Sequence, residues 1–460
     1  MEYGIISIVI PLLTIILAII TKDVIVSLLG GIFAGLLVLN AYNPFLAFIQ
    51  LFDGIIALFS EGWITKTLIF SLMIGSVIKL LSSSGAVDSF VQWLSLKSQK
   101  IDSPKGAMLL AYSIGVVIFI ESSITSLVAG TVAKPLCDKN AISREKLAYI
   151  CDSTSAPICS LIPLNAWGAL LLGLIVTAID SHVISGDGVS LLIASIPYNF
   201  YAFFTLGIVL LVIFFDINIG TMKDSIPKVY HKKEQIAHSK SSPFPMLLPL
   251  IVMVIAVPFG LYLSGGGDLF KGSGSTSVYY AIIVTLLFMY LYYVSTKMLS
   301  HKAYFKGFYQ GLSDMIPIML ILLFAIFIGK IIGELGTAQY LADLLSGNIS
   351  PIFIPLLIFL VAGITSFSTG TSWGTFSIMM PIGLALGASM DIHIPLIIGA
   401  VISGGIFGDH ASPISDSTII SSMAAGCEHV EHVKTQLPYA LIGGGLAGIG
   451  FLIAGYVSMW

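Results

Sequence analysis

The second half of this chain repeats the first half, and the similarity is closest at polar positions. The matched segments are Lys79–Leu94 with Lys330–Leu345, Ser122–Ser126 with Ser368–Ser372, Asp152–Pro157 with Asp409–Pro413, and Pro197–Tyr198 with Pro438–Tyr439. Polar, helix-breaking segments that recur inside apolar sequence are typical of secondary transporters. The repeat therefore predicts two copies of one membrane-embedded unit.

The composition indicates that water is not the main solvent of the chain. Of its 460 residues, 57% are hydrophobic and 10% are charged, whereas a soluble domain carries about 25% charged residues. Many apolar runs reach the roughly 20 residues that are needed to cross a hydrocarbon core. We expect an all-α polytopic membrane protein that is not an enzyme, and the sequence contains no motif for nucleic-acid binding.

Ten apolar stretches are predicted to cross the membrane, five in each half of the chain. They lie near 4–21, 23–40, 64–84, 143–176, 192–215, 245–264, 278–296, 313–333, 393–424 and 436–459. Two more apolar segments, near 106–134 and 350–389, are interrupted by polar residues, and each is interpreted as a re-entrant hairpin. Amphipathic pieces near 86–98 and 337–347 precede the hairpins.

An odd number of crossings per half means that the two halves have inverted topology. We expect a first repeat over residues 1–215, a cytoplasmic linker over 216–244 and a second, inverted repeat over 245–460. If both termini lie outside, all basic residues except Lys66, Lys79, Lys271 and Lys330 fall inside or in the linker, as the positive-inside bias requires. The expected location is the plasma membrane of a prokaryote.

Four polar breaks inside apolar sequence are expected to converge near the membrane midplane. They are Ser122–Ser126, Asp152–Pro157, Ser368–Ser372 and Gly408–Pro413. Irregular backbone at membrane depth is tolerated only where protein or water surrounds it. Hydroxyls, freed carbonyls and carboxylates suit a hard cation such as Na⁺, whereas helix N-termini suit an anion. Simple structural kinks are the alternative interpretation.

The carboxylates inside these breaks are the candidate ion-binding groups. A carboxylate near the bilayer centre costs about 2.5–3.5 kcal/mol on insertion scales, so a bound cation or a proton must compensate it. The candidate Na⁺ ligands are Asp152, Asp409 and Asp416, although a hydrated Asp416 near the cytoplasmic face is an open alternative. The other candidate ion- or substrate-binding residues are Glu121, Ser122, Ser123, Thr125, Ser153, Thr154, Asn165, Ser368, Thr369, Thr371, Ser372, His410, Ser412 and Thr418.

The segment Phe407–Thr418, together with Gly426–His429 and Thr435–Tyr439, resembles the signature of the NhaC family of sodium:proton antiporters. The resemblance covers essentially the whole chain. It implies a two-repeat fold in which hairpin tips and broken helices form the ion site, a homodimer, and an elevator motion. Carried over by position, it implies that Asp409, Ser412 and Asp416 bind the ion.

The sequence therefore predicts a sodium-coupled secondary active transporter that exchanges Na⁺ for H⁺ by alternating access. The alternative is a Na⁺-coupled amino-acid or carboxylate transporter, because NhaC-like proteins include carriers of organic solutes. Na⁺ and H⁺ are the expected coupling ions, with the lipid bilayer and a small organic solute as further partners and no organic cofactor. A channel and an intramembrane aspartyl protease are less consistent with four paired breaks.

Overall fold

The computed structural model describes residues 3–458 apart from 22, 99–102, 120, 164, 226–241, 268–271, 338–339 and 341–349. Every regular element in these ranges is helical. The first half contains α1 (Ile6–Thr21), α2 (Val24–Leu39), α3 (Pro44–Ser60), α4 (Gly62–Ser83), α5 (Ala86–Ser98), α6 (Pro104–Val117), α7 (Ser122–Lys139), α8 (Arg144–Leu161), α9 (Ala166–Asp180), α10 (Gly188–Ser195) and α11 (Phe200–Phe215).

The second half continues with nine helices in the described ranges. They are α12 (Phe244–Ser264), α13 (Gly274–Ser295), α14 (His301–Asp314), α15 (Ile316–Glu334), α16 (Ile354–Thr369), α17 (Ser372–Ser389), α18 (Ile394–Ala411), α19 (Asp416–Ala425) and α20 (His429–Val457). The predicted amphipathic piece 86–98 coincides with α5, whereas most of its counterpart at 337–347 lies outside the described residues.

The described helices include eight that are long and apolar enough to cross a membrane, or nine if the bent pair α8–α9 counts as one span. The predicted class, an all-α polytopic membrane protein, is therefore confirmed. Two of the predicted crossings, α1 and α2, are shorter, with 16 residues each. The count of ten crossings stays a prediction.

Four consecutive helices of the first half recur at one fixed spacing in the second half. The helices α6 to α9 begin at 104, 122, 144 and 166, and α16 to α19 begin 250 residues later, at 354, 372, 394 and 416. Each set is interrupted at two matching places, between α6 and α7 and between α8 and α9 in the first half, and at 370–371 and 412–415 in the second.

One predicted break is wrong. The segment Asp152–Pro157 lies inside the continuous helix α8, and the chain breaks only after Leu161. A proline removes one helical hydrogen bond, and in membrane helices neighbouring serine and threonine hydroxyls can satisfy the freed backbone groups. Thr154 and Ser160 donate hydrogen bonds to the carbonyls of Ile150 and Pro157 within the same helix, and α8 continues past Pro157 to Leu161.

The sequence prediction also missed two helices. It treated 41–63 and 297–312 as connections, but α3 and α14 occupy them. Asn43 caps α3 by accepting hydrogen bonds from the N–H groups of Phe45 and Leu46, and Ser300 caps α14 in the same way through Ala303. Side-chain caps of this kind satisfy the free N–H groups at a helix start, and they mark both helices in the sequence.

The helices α8 and α18 form the centre of the molecule. Every residue from Lys146 to Ser160 of α8 is buried, and α18 is buried along almost its whole length. Glycines allow close packing of α18, because a Cβ at Gly408 would lie 2.1 Å from the carbonyl oxygen of Gly363 on α16. The most protected helices thus carry the candidate carboxylates Asp152 and Asp409.

Candidate functional site

Asp152 lies at the middle of α8 and is fully buried. Its Oδ1 accepts a hydrogen bond of 3.0 Å from the Ser417 hydroxyl at the start of α19. Its Oδ2 accepts a hydrogen bond of 2.7 Å from Nε2 of Gln436 on α20, and Nε2 of the buried His432 lies 3.4 Å from the same oxygen. Three elements therefore meet at this carboxylate.

Asp409 lies in the last turn of α18 and is 3% exposed. Its Oδ2 accepts a hydrogen bond of 2.7 Å from the Ser372 hydroxyl, which lies in the first turn of α17. The same hydroxyl is 3.2 Å from the carbonyl oxygen of Gly405. Asp409 thus connects the end of α18, just before the break at 412–415, to the tip of the second predicted hairpin.

Two side chains join these carboxylates into one buried network. Nε2 of Gln436 donates to Asp152 and also, at 2.7 Å, to the carbonyl oxygen of His410, the neighbour of Asp409. The His410 ring bonds through Nε2 to the Ser153 hydroxyl at 3.0 Å and through Nδ1 to the Tyr201 hydroxyl at 2.6 Å. We call the set Asp152, Asp409, His410, Gln436, Ser153, Ser372, Ser417 and Tyr201 the carboxylate network.

Several buried polar atoms at the network have no hydrogen-bond partner among the described residues. They include Oε1 of Gln436, Oγ1 of Thr418 and both ring nitrogens of His432. An unsatisfied buried polar group costs about 1–3 kcal/mol, so native structures rarely leave several together unless water or an ion completes them. The amide of Gln436 bonds to Asp152, and Thr418 follows Ser417, which also bonds to Asp152. Their two oxygens are the type of ligand that a hard cation prefers.

The tip of the first predicted hairpin is fixed by its own side chains. The half-buried Glu121 caps α7, because its Oε2 accepts a 2.8 Å bond from the N–H of Ile124. The hydroxyl of Thr125 donates to the carbonyl oxygens of Ile118 and Glu121. Asn165, the N-cap of α9, donates to the Phe119 carbonyl and so holds this tip against the α8–α9 break.

The tip of the second predicted hairpin is held by a different contact. The hydroxyl of Ser412 donates a 2.8 Å bond to the carbonyl of Phe367 near the end of α16. Gly370 has a φ of 69°, which allows the sharp turn before α17. The indole rings of Trp167 at the start of α9 and Trp373 at the start of α17 meet edge to face, with centroids 6.2 Å apart.

The structure brings five of the predicted residues into the network: Asp152, Ser153, Ser372, Asp409 and His410. Thr154 and Thr369 instead bond to carbonyls of their own helices. Ser122, Ser123, Ser368 and Thr371 are half-buried at the tips. Asp416 begins α19, but its side chain lies outside the described residues.

Sequence reasoning missed Gln436, His432 and Tyr201. His432 and Gln436 are four residues apart and so lie on one face of α20. Two polar residues at that spacing beside an apolar run were the available signal.

A buried polar network that carries two carboxylates inside a bundle of membrane-length helices defines the chain as a polytopic membrane transporter. The sequence profile of the Na⁺/H⁺ antiporter family matches residues 158–456. A protein of uncharacterised function from Haemophilus influenzae is 35% identical over 98% of this chain and 91% of its own length. The chain therefore belongs to the Na⁺/H⁺ antiporter family, which confirms the NhaC resemblance.

Two shorter matches connect the chain to named antiporters. The malate-2H⁺/Na⁺-lactate antiporter of Bacillus subtilis is 34% identical over 74 residues, which is 16% of each chain. The arginine/ornithine antiporter ArcD of Halobacterium salinarum is 31% identical over 80 residues, 17% of this chain and 16% of its own.

Solved structures show a similar fold at low sequence identity. The YdaH transporter of Alcanivorax borkumensis superposes with a TM-score of 0.57 at 16% identity, over 88% of each chain. MtrF of Neisseria gonorrhoeae gives 0.58 at 14% identity, over 89% of this chain and 84% of its own. At these identities the likeness supports the transporter fold alone.

Proposed function

We propose that the protein is a sodium-coupled secondary active transporter of a prokaryotic plasma membrane that exchanges Na⁺ for H⁺. The observation that carries this proposal is the carboxylate network, in which Gln436 links the buried carboxylate of Asp152 to the backbone of His410, the neighbour of the nearly buried Asp409. Among the described side chains, the only ion-pair partner of Asp152 is His432. A buried carboxylate that has no permanently charged partner needs another positive charge, either a bound cation or a proton, to offset its desolvation.

The proposed exchange follows from competition for the same oxygens. When Na⁺ is bound, it compensates the charge of Asp152 and Asp409, with the oxygens of Thr418 and Gln436 as further ligands. When the carboxylates are protonated, they are neutral and do not need the cation. Each ion must therefore leave before the other binds, and the membrane gradient of one drives the other.

Hydrogen bonds at the centre of the molecule support two inverted repeats. With the 250-residue spacing, Ser153 corresponds to Ser403 and Ser160 to His410. His410 bonds directly to Ser153, and on the other side Asn199 bridges Ser403 and Ser160, with bonds of 2.9 and 2.7 Å. Contacts that recur with the partners exchanged are what a two-fold axis between α8 and α18 produces.

Ion pairs between α4 and α15 support the same symmetry away from the site. Lys79 near the end of α4 lies 3.7 Å from Asp314 just before α15, and Lys330 near the end of α15 pairs with Glu61 just before α4. The two helices are therefore antiparallel. We propose that they belong to a static scaffold, shared in a homodimer, past which the carboxylate network moves in an elevator motion.

A second candidate function is Na⁺-coupled transport of an amino acid or a carboxylate. The half-buried Glu121, Ser122 and Ser123 at one tip, and the edge of Trp373 at the other, offer polar and aromatic contacts to a solute. The local similarity to the malate-2H⁺/Na⁺-lactate antiporter favours this candidate over a channel.

Proteoliposomes test both candidates. With a pH gradient and no added solute, we expect ²²Na⁺ efflux from wild-type vesicles, whereas a strict requirement for a solute would favour the second candidate. Asp152→Asn or Asp409→Asn should weaken Na⁺ binding about 10- to 100-fold, the cost of one charged contact. Thermal stabilisation of the purified protein by Na⁺ measures that binding independently of transport.

The matched control is Asp180→Asn, which removes a carboxylate at the end of α9, outside the network. It should leave the Na⁺ response close to that of the wild type. If Asp152→Asn and Asp409→Asn both retain a wild-type Na⁺ response, the carboxylate network is not the ion site and the proposed exchange fails with it.

A further inference from the structure

A separate pocket lies at the starts of α6 and α8 and the end of α11, and none of the carboxylate network lines it. Its volume is about 630 Å³, within the range of about 300–1,000 Å³ that is usual for small-molecule sites. Its walls are the first turns of α6 and α8, the connection between α7 and α8, and the short 3-10 helix Gly220–Asp224 that follows α11.

The lining of this pocket carries more positive than negative charge. Lys105, Lys146 and Lys223 line it, and Asp216 is the one acidic residue among its described lining residues. Lys146 is 5% exposed and bonds to Asp216 at 2.5 Å. Lys105 and Lys223 form no ion pair within the described ranges of the chain, so two ammonium groups remain to attract an anion.

The helix starts at the pocket wall add to this positive potential. Ser103 caps α6 and Ser143 caps α8, and both line the pocket. A helix start carries a partial positive charge that favours acidic residues, yet Lys105 is the second residue of α6. The positive charge of Lys105 therefore destabilises the start of α6, and local features that reduce stability are common at functional positions.

The pocket is also apolar on one side and lies near the membrane surface. Met108, Ile213 and Met222 contribute to its lining, and the neighbouring Phe215 is 72% exposed. The stretch Phe200–Asp224, which begins with α11, is long and apolar enough to cross a membrane, so the pocket at its end lies near the surface in either orientation. The ligand should therefore combine an anionic group with an apolar tail.

We propose that this pocket binds the phosphate-bearing head group of an anionic phospholipid, with the acyl chains along α11. Basic pockets between membrane helices bind such head groups. The lysine ammonium groups and the partial positive charge of two helix starts match the phosphate. The exposed aromatic end of α11 matches the first methylene groups of the chains.

Thermal stability of the purified full-length protein in neutral detergent tests this proposal. Short-chain phosphatidylglycerol should raise the unfolding temperature, and phosphatidylcholine of the same chain length should not. In Lys105→Gln/Lys223→Gln, the concentration of phosphatidylglycerol that gives half of the effect should rise about thirtyfold, as expected for two lysines near a lipid head group. The matched control Lys302→Gln removes an exposed lysine at the second position of α14 and should respond like the wild type.

Two further arms identify the source of the phosphate. Inorganic phosphate and glycerol phosphate, at the same concentrations, should stabilise the protein much less than the lipid does. An equal effect of glycerol phosphate would overturn the lipid assignment. An equal loss in Lys302→Gln, or an unchanged response in the double variant, would overturn the pocket itself. The unfolding temperature without lipid shows whether the double variant is folded.

Discussion

At the scale of single residues, the amide of Gln436 links two parts of the candidate site. It donates both to the carboxylate of Asp152 and to the carbonyl of His410, while its own oxygen has no partner among the described residues. An amide can therefore hold two halves of the network together and still offer an oxygen to a cation. A hydroxyl or a charged side chain could not do both in the same place.

Gln436→Leu should lower the free energy of unfolding by about 1–3 kcal/mol, because two buried acceptors lose their donor. It should also weaken the thermal stabilisation by Na⁺. Gln50→Leu is the matched control, since Gln50 bonds only to Asn40 on the surface, and it should change stability by less than about 0.5 kcal/mol. Equal effects of the two substitutions on stability and on the Na⁺ response would contradict the proposed role of Gln436 in the carboxylate network.

The sequence predicted the charged residues of the site better than its neutral ones. Asp152 and Asp409 could be predicted because a carboxylate in apolar sequence is costly and needs a reason. Gln436 and Tyr201 could not be predicted, because a single amide or phenol in a membrane helix is as compatible with packing as with a site. Their roles depend on which helices meet, and local sequence does not contain that information.

At the scale of helices, close approach of backbones determines where the site lies. Gly408 lets α18 approach α16 so closely that a Cβ there would lie 2.1 Å from the Gly363 carbonyl and 2.6 Å from the backbone nitrogen of Phe367. Backbone atoms cannot move aside as a flexible side chain can. Asp409, the next residue, depends on this contact for its position beside Ser372.

Gly408→Ala should therefore destabilise the protein by about 1–3 kcal/mol, the usual cost of overpacking a core, and should reduce the response to Na⁺. Gly445→Ala on α20 adds the same methyl group where nothing lies within 4 Å. It should be neutral or stabilise the helix by up to about 1 kcal/mol. Unfolding temperatures of both variants check this contrast, and a stable Gly408→Ala protein with a normal Na⁺ response would contradict it.

The hydroxyl of Thr125 is one of the groups that hold the turn before α7. Thr125→Val keeps the shape of the side chain but removes the donor to the carbonyls of Ile118 and Glu121, so we expect a loss of about 1–3 kcal/mol and slower transport. Thr125→Ser keeps the hydroxyl and should restore most of both. Transport rates and unfolding temperatures of the pair measure the effect. A valine variant as active as the serine variant would show that the turn is held in another way.

The helix boundaries show where sequence reasoning is weaker. The breaks before α7 and α17 were predicted close to their positions, because serine and threonine clusters interrupt apolar runs there. The break after α8 was predicted about ten residues too early. A proline together with several hydroxyl side chains is typical of a helix break, but the helix continues through Asp152–Pro157. Surrounding helices decide between these outcomes.

At the scale of the whole molecule, an elevator motion requires that contacts within the scaffold persist while contacts to the moving unit break. Glu61 and Lys330 both belong to the proposed scaffold. Thr67 on α4 and Gly173 on α9 lie across the boundary, and a Cβ at Gly173 would be 3.2 Å from the Thr67 methyl group. The two pairs therefore test opposite expectations.

In a background without the four native cysteines, a disulfide between Thr67→Cys and Gly173→Cys is within bonding reach and should stop transport, with recovery on reduction. A bifunctional thiol reagent across Glu61→Cys and Lys330→Cys should leave at least half of the activity. Na⁺ flux before and after reduction is the measurement. Full activity of the first cross-linked protein would contradict an elevator motion at this boundary.

The 250-residue spacing has a consequence for direction. Under it, the sequence match of Asp152 with Asp409 does not hold, because Asp152 corresponds to Ile402 and Asp409 to Cys159. Neither acid has an acidic counterpart at the equivalent position of the other copy. The outward-open and inward-open states of such a carrier cannot be chemically equivalent. A cation that enters from one side of the membrane meets the ligands in a different order from a cation that enters from the other side. We expect unequal apparent affinities for Na⁺ at the two membrane faces, and hence transport that is faster in one direction than in the other.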